Sequence, residues 1–322
     1  MSPHQDQDLT SPAAAPLPGT GNSRGKEPEH RPAGPASPTD AERPGHTEQP
    51  RRVKQPRRVK QPRHVGQPAY AEQPGHGEQP GYADRNAADY DRWFSKPGVT
   101  GATVNTLARL AGAGPVLELG IGTGRVALPL AGRGLDVHGI ERSGAMIRQL
   151  RAKPGGDRIA ITRGDFADVP VPVPVPGRFS LVYAAGGTFL ELPDREAKQR
   201  CLAAVAARLA PGGVFAVDAH VPEALAVAAA SGVPETVSAT DDHLILCHRL
   251  IDPSTQTYHS HYLVHEAHRT HHFRVRFHYV SPGELDLLAE QAGLRLVRRQ
   301  GGWEAAPFTR TSTYHVSVYA HI

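Results

Sequence analysis

The chain has 322 residues and a net charge of +4, enough length for one large or two small domains and too little charge imbalance to define a partner by itself. No apolar run approaches the roughly 18 residues needed to span a bilayer, and the N-terminus lacks the apolar core of a signal peptide. Two isolated cysteines, Cys201 and Cys247, supply neither a disulfide framework nor a thiolate metal site, so a cytoplasmic protein without a membrane partner is expected.

Residues 1–85 are rich in Pro, Gly, Gln, His and charge and poor in large apolar side chains. Such a segment cannot bury enough surface to offset the entropy of ordering it. Gln-Pro recurs every six residues from Gln49-Pro50 to Gln79-Pro80, a period too short for a solenoid and suited to an extended tail. Arg51, Arg52, Lys54, Arg57, Arg58, Lys60 and Arg63 concentrate positive charge there, so an inert solvated tail and a weak nucleic-acid tether both remain open.

Order is expected from the aromatic onset between Tyr82 and Phe94, with a domain over 86–322. Val104, Leu107, Ala108 and Ala111 then fall at helical spacing. Val116 to Leu119 reads as a buried parallel strand carrying Glu118 near its end. Gly120, Gly122 and Gly124 follow, and Val126 to Leu130 resumes as a helix. A strand turning into a helix through glycines presents bare backbone N–H groups and a helix N-terminus at one spot. Arg125 stands where the dinucleotide fingerprint G-x-G-x-x-G needs its third glycine, which argues against a dinucleotide.

The second strand is expected over Leu135–Ile140, ending beside Glu141, then a helix from Ser143 to Lys153 with Ser143 as N-cap. Arg158–Thr162 is the third strand, followed by Asp165 and Phe166, and Phe179–Ala185 the fourth. Between them, the alternate prolines of residues 169–176 predict an extended surface loop. Arg195–Leu209 is a long helix ended by Pro211-Gly212-Gly213, and Val214–Asp218 is the fifth strand, with His220 just beyond. Strands alternating with helices at this interval predict an α/β fold, a parallel sheet covered on both faces.

After the fifth strand the pattern changes. His243–Ile251, Gln256–His265 and His271–Val280 read as antiparallel strands of a 222–280 insertion. Phe273, Val275, Phe277 and Tyr279 alternate with His272, Arg274, Arg276 and His278, and Tyr258, Tyr262 and Val264 with His259, His261 and His265, so one face is core or lid and the other wet. His-x-His on a strand can hold a metal, but no carboxylate or cysteine spacing accompanies it, and no metal site is expected. Ser281-Pro282-Gly283-Glu284 is a capping box opening a helix to Ala292. Leu294–Arg299 and Thr311–Tyr319 close the chain as strands.

Three acids, Glu118, Glu141 and Asp165, thus stand at or just past the ends of the first three strands, where doubly wound sheets bind ligands. This succession, with Leu209-Ala210-Pro211-Gly212-Gly213 before strand five, resembles the class I S-adenosylmethionine (SAM)-dependent methyltransferases. The resemblance implies a doubly wound, mostly parallel seven-stranded Rossmann-like sheet with the insertion as an antiparallel lid. It implies SAM as cofactor, with Gly120, Gly122 and Gly124 along the methionine and ribose and Glu118 near the α-amino group. Glu141 would take the ribose hydroxyls, Asp165 the adenine amine, Phe166 a stacking position, and Ala184 with the following Ala185-Gly186-Gly187 a place beside the methyl group. The inserted strands and the Tyr-Asp-x-Trp-Phe segment look like those of small-molecule N- or O-methyltransferases. Gly186-Gly187-Thr188 departs from the Asn-Thr type segment of one related pattern, and no Asn/Asp-Pro-Pro-aromatic motif for DNA bases is present. A sulfonium is an activated electrophile, so positioning outweighs acid–base chemistry. For a hydroxyl acceptor, His220 is the expected base, and Tyr90 the lid residue contacting cofactor or nucleophile. A SAM-fold enzyme that cyclises or rearranges its substrate, and a SAM-binding protein with a tethering tail, are the rival readings.

Overall fold

The computed structural model describes residues 81–95, 97–168 and 178–322. The hexad repeats and the alternate-proline segment lie outside the described residues. Three helices open the described chain: α1 (Tyr82–Asn86), α2 (Tyr90–Phe94) and α3 (Pro97–Ala111). Then come β1 (Val116–Leu119), α4 (Ala127–Ala131), β2 (Val137–Glu141), α5 (Gly144–Arg151), β3 (Ala160–Arg163) and β4 (Phe179–Ala184). α6 (Arg195–Arg208) leads into β5 (Leu209–His220). The insertion contributes α7 (Pro222–Ala230), β6 (Glu235–Ala239), β7 (His243–Asp252), β8 (Thr257–Glu266) and β9 (Arg269–His278). α8 (Pro282–Gln291), β10 (Leu294–Gln300) and β11 (Tyr314–His321) complete it.

Seven strands form one sheet in the order β10-β11-β5-β4-β1-β2-β3. β3, β2, β1, β4 and β5 run parallel, while β11 pairs antiparallel with both β5 and β10. This is the doubly wound, mostly parallel sheet that the alternating pattern and the resemblance imply. All four residues of β1 are buried, as a strand covered on both faces requires. One apolar cluster unites Leu117, Leu119, Leu202, Phe215 and Leu288. A second unites Val116, Leu107, Leu130, Leu181 and Trp303. The reversal of strand order beside β1 opens a crevice at the carboxyl ends of β1 and β4.

Local chemistry sets the boundaries. Ser143 Oγ accepts from Met146 N at 3.1 Å and caps α5, and Ser281 Oγ accepts from Glu284 N at 3.2 Å and caps α8. At Pro211-Gly212-Gly213 the outcome differs from the expected helix-ending turn. β5 begins directly at Leu209 and pairs Leu209 with Phe179 and Val214 with Leu181, so the glycines ride in a bulge within the strand. The element β6 and the helix α7 had no expectation attached to them.

The insertion forms a second, four-stranded antiparallel sheet in the order β6-β7-β8-β9. Its aromatic face encloses Trp93 of α2, which is 2% exposed and stacks on Phe273 at 5.7 Å between ring centroids. Core aromatic truncations cost about 3–5 kcal/mol, so Trp93 is a main fastener of the N-terminal helices to the insertion. His272, Arg274 and Arg276 take the exposed face, as the alternation requires, with the His261 and His272 rings stacked at 5.5 Å, but His278, expected on that wet face, is buried at the end of β9.

Candidate active site

Where β1 ends, Gly120 (φ +72°) and Gly122 (φ +55°) carry the chain through left-handed backbone, which side chains disfavour. A Cβ on Gly120 would lie 2.5 Å from Thr188 Cγ2 and 3.6 Å from the Phe166 ring. Thr188 and Phe166 thus pack against the bare backbone at Gly120, whereas a Cβ on Gly122 would meet only the Gly120 carbonyl, at 4.0 Å. Gly124 (φ +78°) is packed in the same way as Gly120: its missing Cβ is replaced by Leu150, 2.9 Å away, so it seats α4 against α5.

A cavity of about 230 Å³ opens over this turn. One wall is Glu118, Gly120, Ile121 and Gly122; Ala185, Gly186, Thr188 and Glu191 form the side beyond β4. The facing wall is aromatic, from Tyr82, Tyr90 and Phe94 of α1 and α2 and from Tyr262, Phe273 and Phe277 of the insertion. The face of the insertion expected to be core or lid thus lies over the glycine turn.

Glu118 is 5% exposed and accepts a hydrogen bond from the Tyr183 hydroxyl at 2.7 Å. Burial pushes its carboxyl up to about 8 against the pull of the Tyr183 bond and of Arg125. Glu141 ends β2. Its Oε2 accepts from Gly122 N at 2.9 Å and its Oε1 from Ser143 N at 2.7 Å, so it bridges the turn to the cap of α5. Asp165 is exposed, and its Oδ1 accepts from Ala167 N at 2.9 Å. Phe166 brings its ring toward Gly120. Ala184 is fully buried within the core, and its successor Ala185 lines the cavity.

Tyr90 stands in the aromatic wall, its hydroxyl pushed up to about 12, chiefly by burial and then by Glu191. His220 is placed apart from the cavity lining. Its ring packs edge-on against Tyr314 at 5.3 Å, and burial, then Arg249, lowers its pKa. On the same face of β5, Asp218 reaches the Gly186-Gly187 turn beyond β4. Asp218 is fully buried and accepts from Gly186 N at 2.8 Å, Gly187 N at 2.7 Å and Trp303 Nε1 at 2.8 Å. It fixes the Gly-Gly turn that departs from the related pattern.

Glu191, Tyr82, Arg125 and Asp218 had no site role in the sequence reading. Glu191 sits in a short helical turn, Thr188–Glu191, with no motif around it. It accepts from the Tyr82 hydroxyl at 2.9 Å, and burial raises its carboxyl to about 7. An aromatic pair 109 residues upstream of an acid carries no local signal.

A methyltransferase-domain family model matches residues 116–213. The solved CcbJ methyltransferase from Streptomyces caelestis is 36% identical, with 74% of this chain and 97% of that one covered and a TM-score of 0.66. The chain belongs to the class I SAM-dependent methyltransferases. SAM is its cofactor. The cypemycin N-terminal methyltransferase of a Streptomyces species is 26% identical to this methyltransferase over 197 residues, 61% of this chain and 79% of that one. SAM-bound CalS10, an amino pentose methyltransferase from Micromonospora echinaspora, shares the fold at 19% identity and a TM-score of 0.55, with 77% and 100% covered. Among the described residues of the methyltransferase, no helix is long and apolar enough to cross a membrane.

Proposed function

We propose that this methyltransferase moves the methyl group of SAM to a nitrogen of a small molecule, an amino sugar or another amine-bearing secondary metabolite. The observation that carries this reading is a cavity that joins the glycine turn to an aromatic wall supplied by α1, α2 and the insertion. A relative named for N-terminal methylation supports nitrogen over oxygen.

Bound SAM supplies an activated methyl, so the protein's task is to bind, orient and exclude water. In this reading the bare backbone at Gly120 and Gly122 accommodates the methionine and ribose, with Gly124 holding the turn's far end. Glu118 meets the α-amino group, for which a buried carboxyl in no ion pair among the described residues is suited. Glu141 takes the ribose hydroxyls with the acceptor capacity left after its two backbone bonds. Asp165 takes the adenine amine, Phe166 packs nearby, and Ala184 and Ala185 border the methyl group. Tyr90 orients the nucleophile. His220, turned to Tyr314, takes no part.

Incubation with SAM and panels of small amines and alcohols tests this, with mass spectrometry for S-adenosylhomocysteine and the methylated product. N-methylated product from amines is expected. O-methylation alone would overturn the nitrogen assignment, and an isomerised substrate without S-adenosylhomocysteine would establish the cyclisation or rearrangement reading. Deleting residues 1–80 is expected to leave turnover unchanged.

A further inference from the structure

Within the lining, two carboxyls stand in different surroundings. Glu118 belongs to the glycine turn. Glu191 lies on the side beyond β4 and shares the cavity with Tyr82, Tyr90, Phe94, Tyr262 and Phe273. These rings form a connected box: Tyr90 meets Phe94 at 5.1 Å, Phe94 meets Tyr262 at 5.4 Å, Tyr262 meets Phe273 at 5.1 Å, and Tyr82 stacks on Phe273 at 6.3 Å. Among the described residues of the lining Arg125 is the one Lys or Arg, and it hydrogen-bonds the Thr100 hydroxyl at 3.0 Å. Among the described residues no ion pair includes Glu191; its partner is the Tyr82 hydroxyl.

Aromatic faces attract cations through their quadrupoles, and a desolvated box strengthens that attraction. A carboxylate within such a box adds a full negative charge, whose Coulombic attraction a neutral guest lacks. We propose that Glu191, with the Tyr82–Tyr90–Phe94–Tyr262–Phe273 box, selects the acceptor by its ammonium group, so that the substrate class is a cationic amine with an apolar body. This rests on the methyl-transfer reading above and adds to it the residue that separates amines from alcohols. The Tyr82 hydroxyl is a positioning group, holding Glu191 toward the rings.

The test uses the full chain saturated with S-adenosylhomocysteine, which occupies the cofactor end. Tetramethylammonium is the cationic probe and neopentyl alcohol the neutral one of similar shape, both titrated by NMR. Wild type is expected to favour tetramethylammonium by at least tenfold, with an affinity rise from pH 6 to 8 that Glu191→Gln diminishes, the remainder belonging to Glu118 in the same lining. Glu191→Gln is expected to lose at least tenfold for the cation and less than twofold for the alcohol, whereas Glu191→Asp keeps the preference. Thermal melts and S-adenosylhomocysteine calorimetry on each variant establish that it is folded. Equal binding of both probes by wild type, or unchanged cation binding by folded Glu191→Gln, would overturn the assignment. Failure of S-adenosylhomocysteine to bind wild type would instead strike the cofactor reading, and the two results are read separately.

Discussion

The Thr123 hydroxyl donates a 2.6 Å hydrogen bond to Oδ1 of Asp91 and so joins the glycine turn to helix α2. Lys153 completes the clasp, pairing with Asp91 and donating to the Thr123 carbonyl at 2.6 Å. At its other side α2 is tied to the insertion: Glu266 accepts from Trp93 Nε1 at 3.1 Å and pairs with Arg92. Burial opposes ionisation of Glu266, yet the bonds from Trp93, Arg92 and Arg269 hold its carboxyl down at about 2. The N-terminal helices are therefore a strap between the glycine turn and the insertion.

Removing the clasp should weaken cofactor binding without unfolding the domain. Asp91→Ala leaves Thr123 and Lys153 without their shared acceptor, a loss of roughly 1–2 kcal/mol, or about five- to thirty-fold in Kd. Calorimetric titration with SAM measures it. An unchanged Kd would show that the strap does not support the turn.

Asp218 governs stability instead. Asn at 218 offers one acceptor oxygen and turns an amide donor toward the Gly186, Gly187 and Trp303 N–H groups. Leaving a buried donor unsatisfied costs about 1–3 kcal/mol, and each kcal/mol lowers Tm by about 2–4 °C in a domain of this size. Differential scanning calorimetry of Asp218→Asn should show the drop.

Glu118 makes cofactor binding proton-linked. Its folded pKa is raised from 4.5 to about 8, so its contribution to stability is full below the unfolded value and is lost as pH rises toward 8. At pH 7 the free enzyme holds this carboxyl mostly protonated, and a cationic partner would ionise it. Binding of SAM should then release up to about one proton, seen as a buffer-dependent heat in calorimetry. Glu118→Gln should abolish both the release and the fall in stability between pH 4.5 and 8.

Gly120→Ala tests the bare turn. Left-handed backbone costs an L-residue about 1–2 kcal/mol, and the new methyl would press on Thr188 Cγ2 at 2.5 Å. A lower Tm together with weaker SAM binding is expected. Gly124→Ala should instead act mainly through Leu150, with stability falling more than affinity.

The elements and their sheet were legible because strand periodicity, glycine turns and caps are written in neighbouring residues. The carboxylates Glu118 and Glu141 stand at strand ends for the same reason, one step from a recognisable turn. The alternation of Phe273, Val275 and Phe277 with charged residues announced a two-faced sheet. It could not say what the apolar face would cover.

That was decided by the crossovers of the chain. The strand order places β4 between β1 and β5, so Asp218 reaches the Gly186-Gly187 turn and Trp303 across intervals of about 32 and 85 residues. Glu191 finds Tyr82 across 109 residues. His220 and Asp218 lie two apart on one strand and look equivalent in sequence, yet packing of β11 against β5 leaves His220 against Tyr314. The sequence by itself determined the α/β sheet, the glycine turn and the acids flanking it, because each depends on local backbone preference. Only the tertiary structure decided which side chains share the cavity, because that depends on long-range pairing and burial, which no short window of residues encodes.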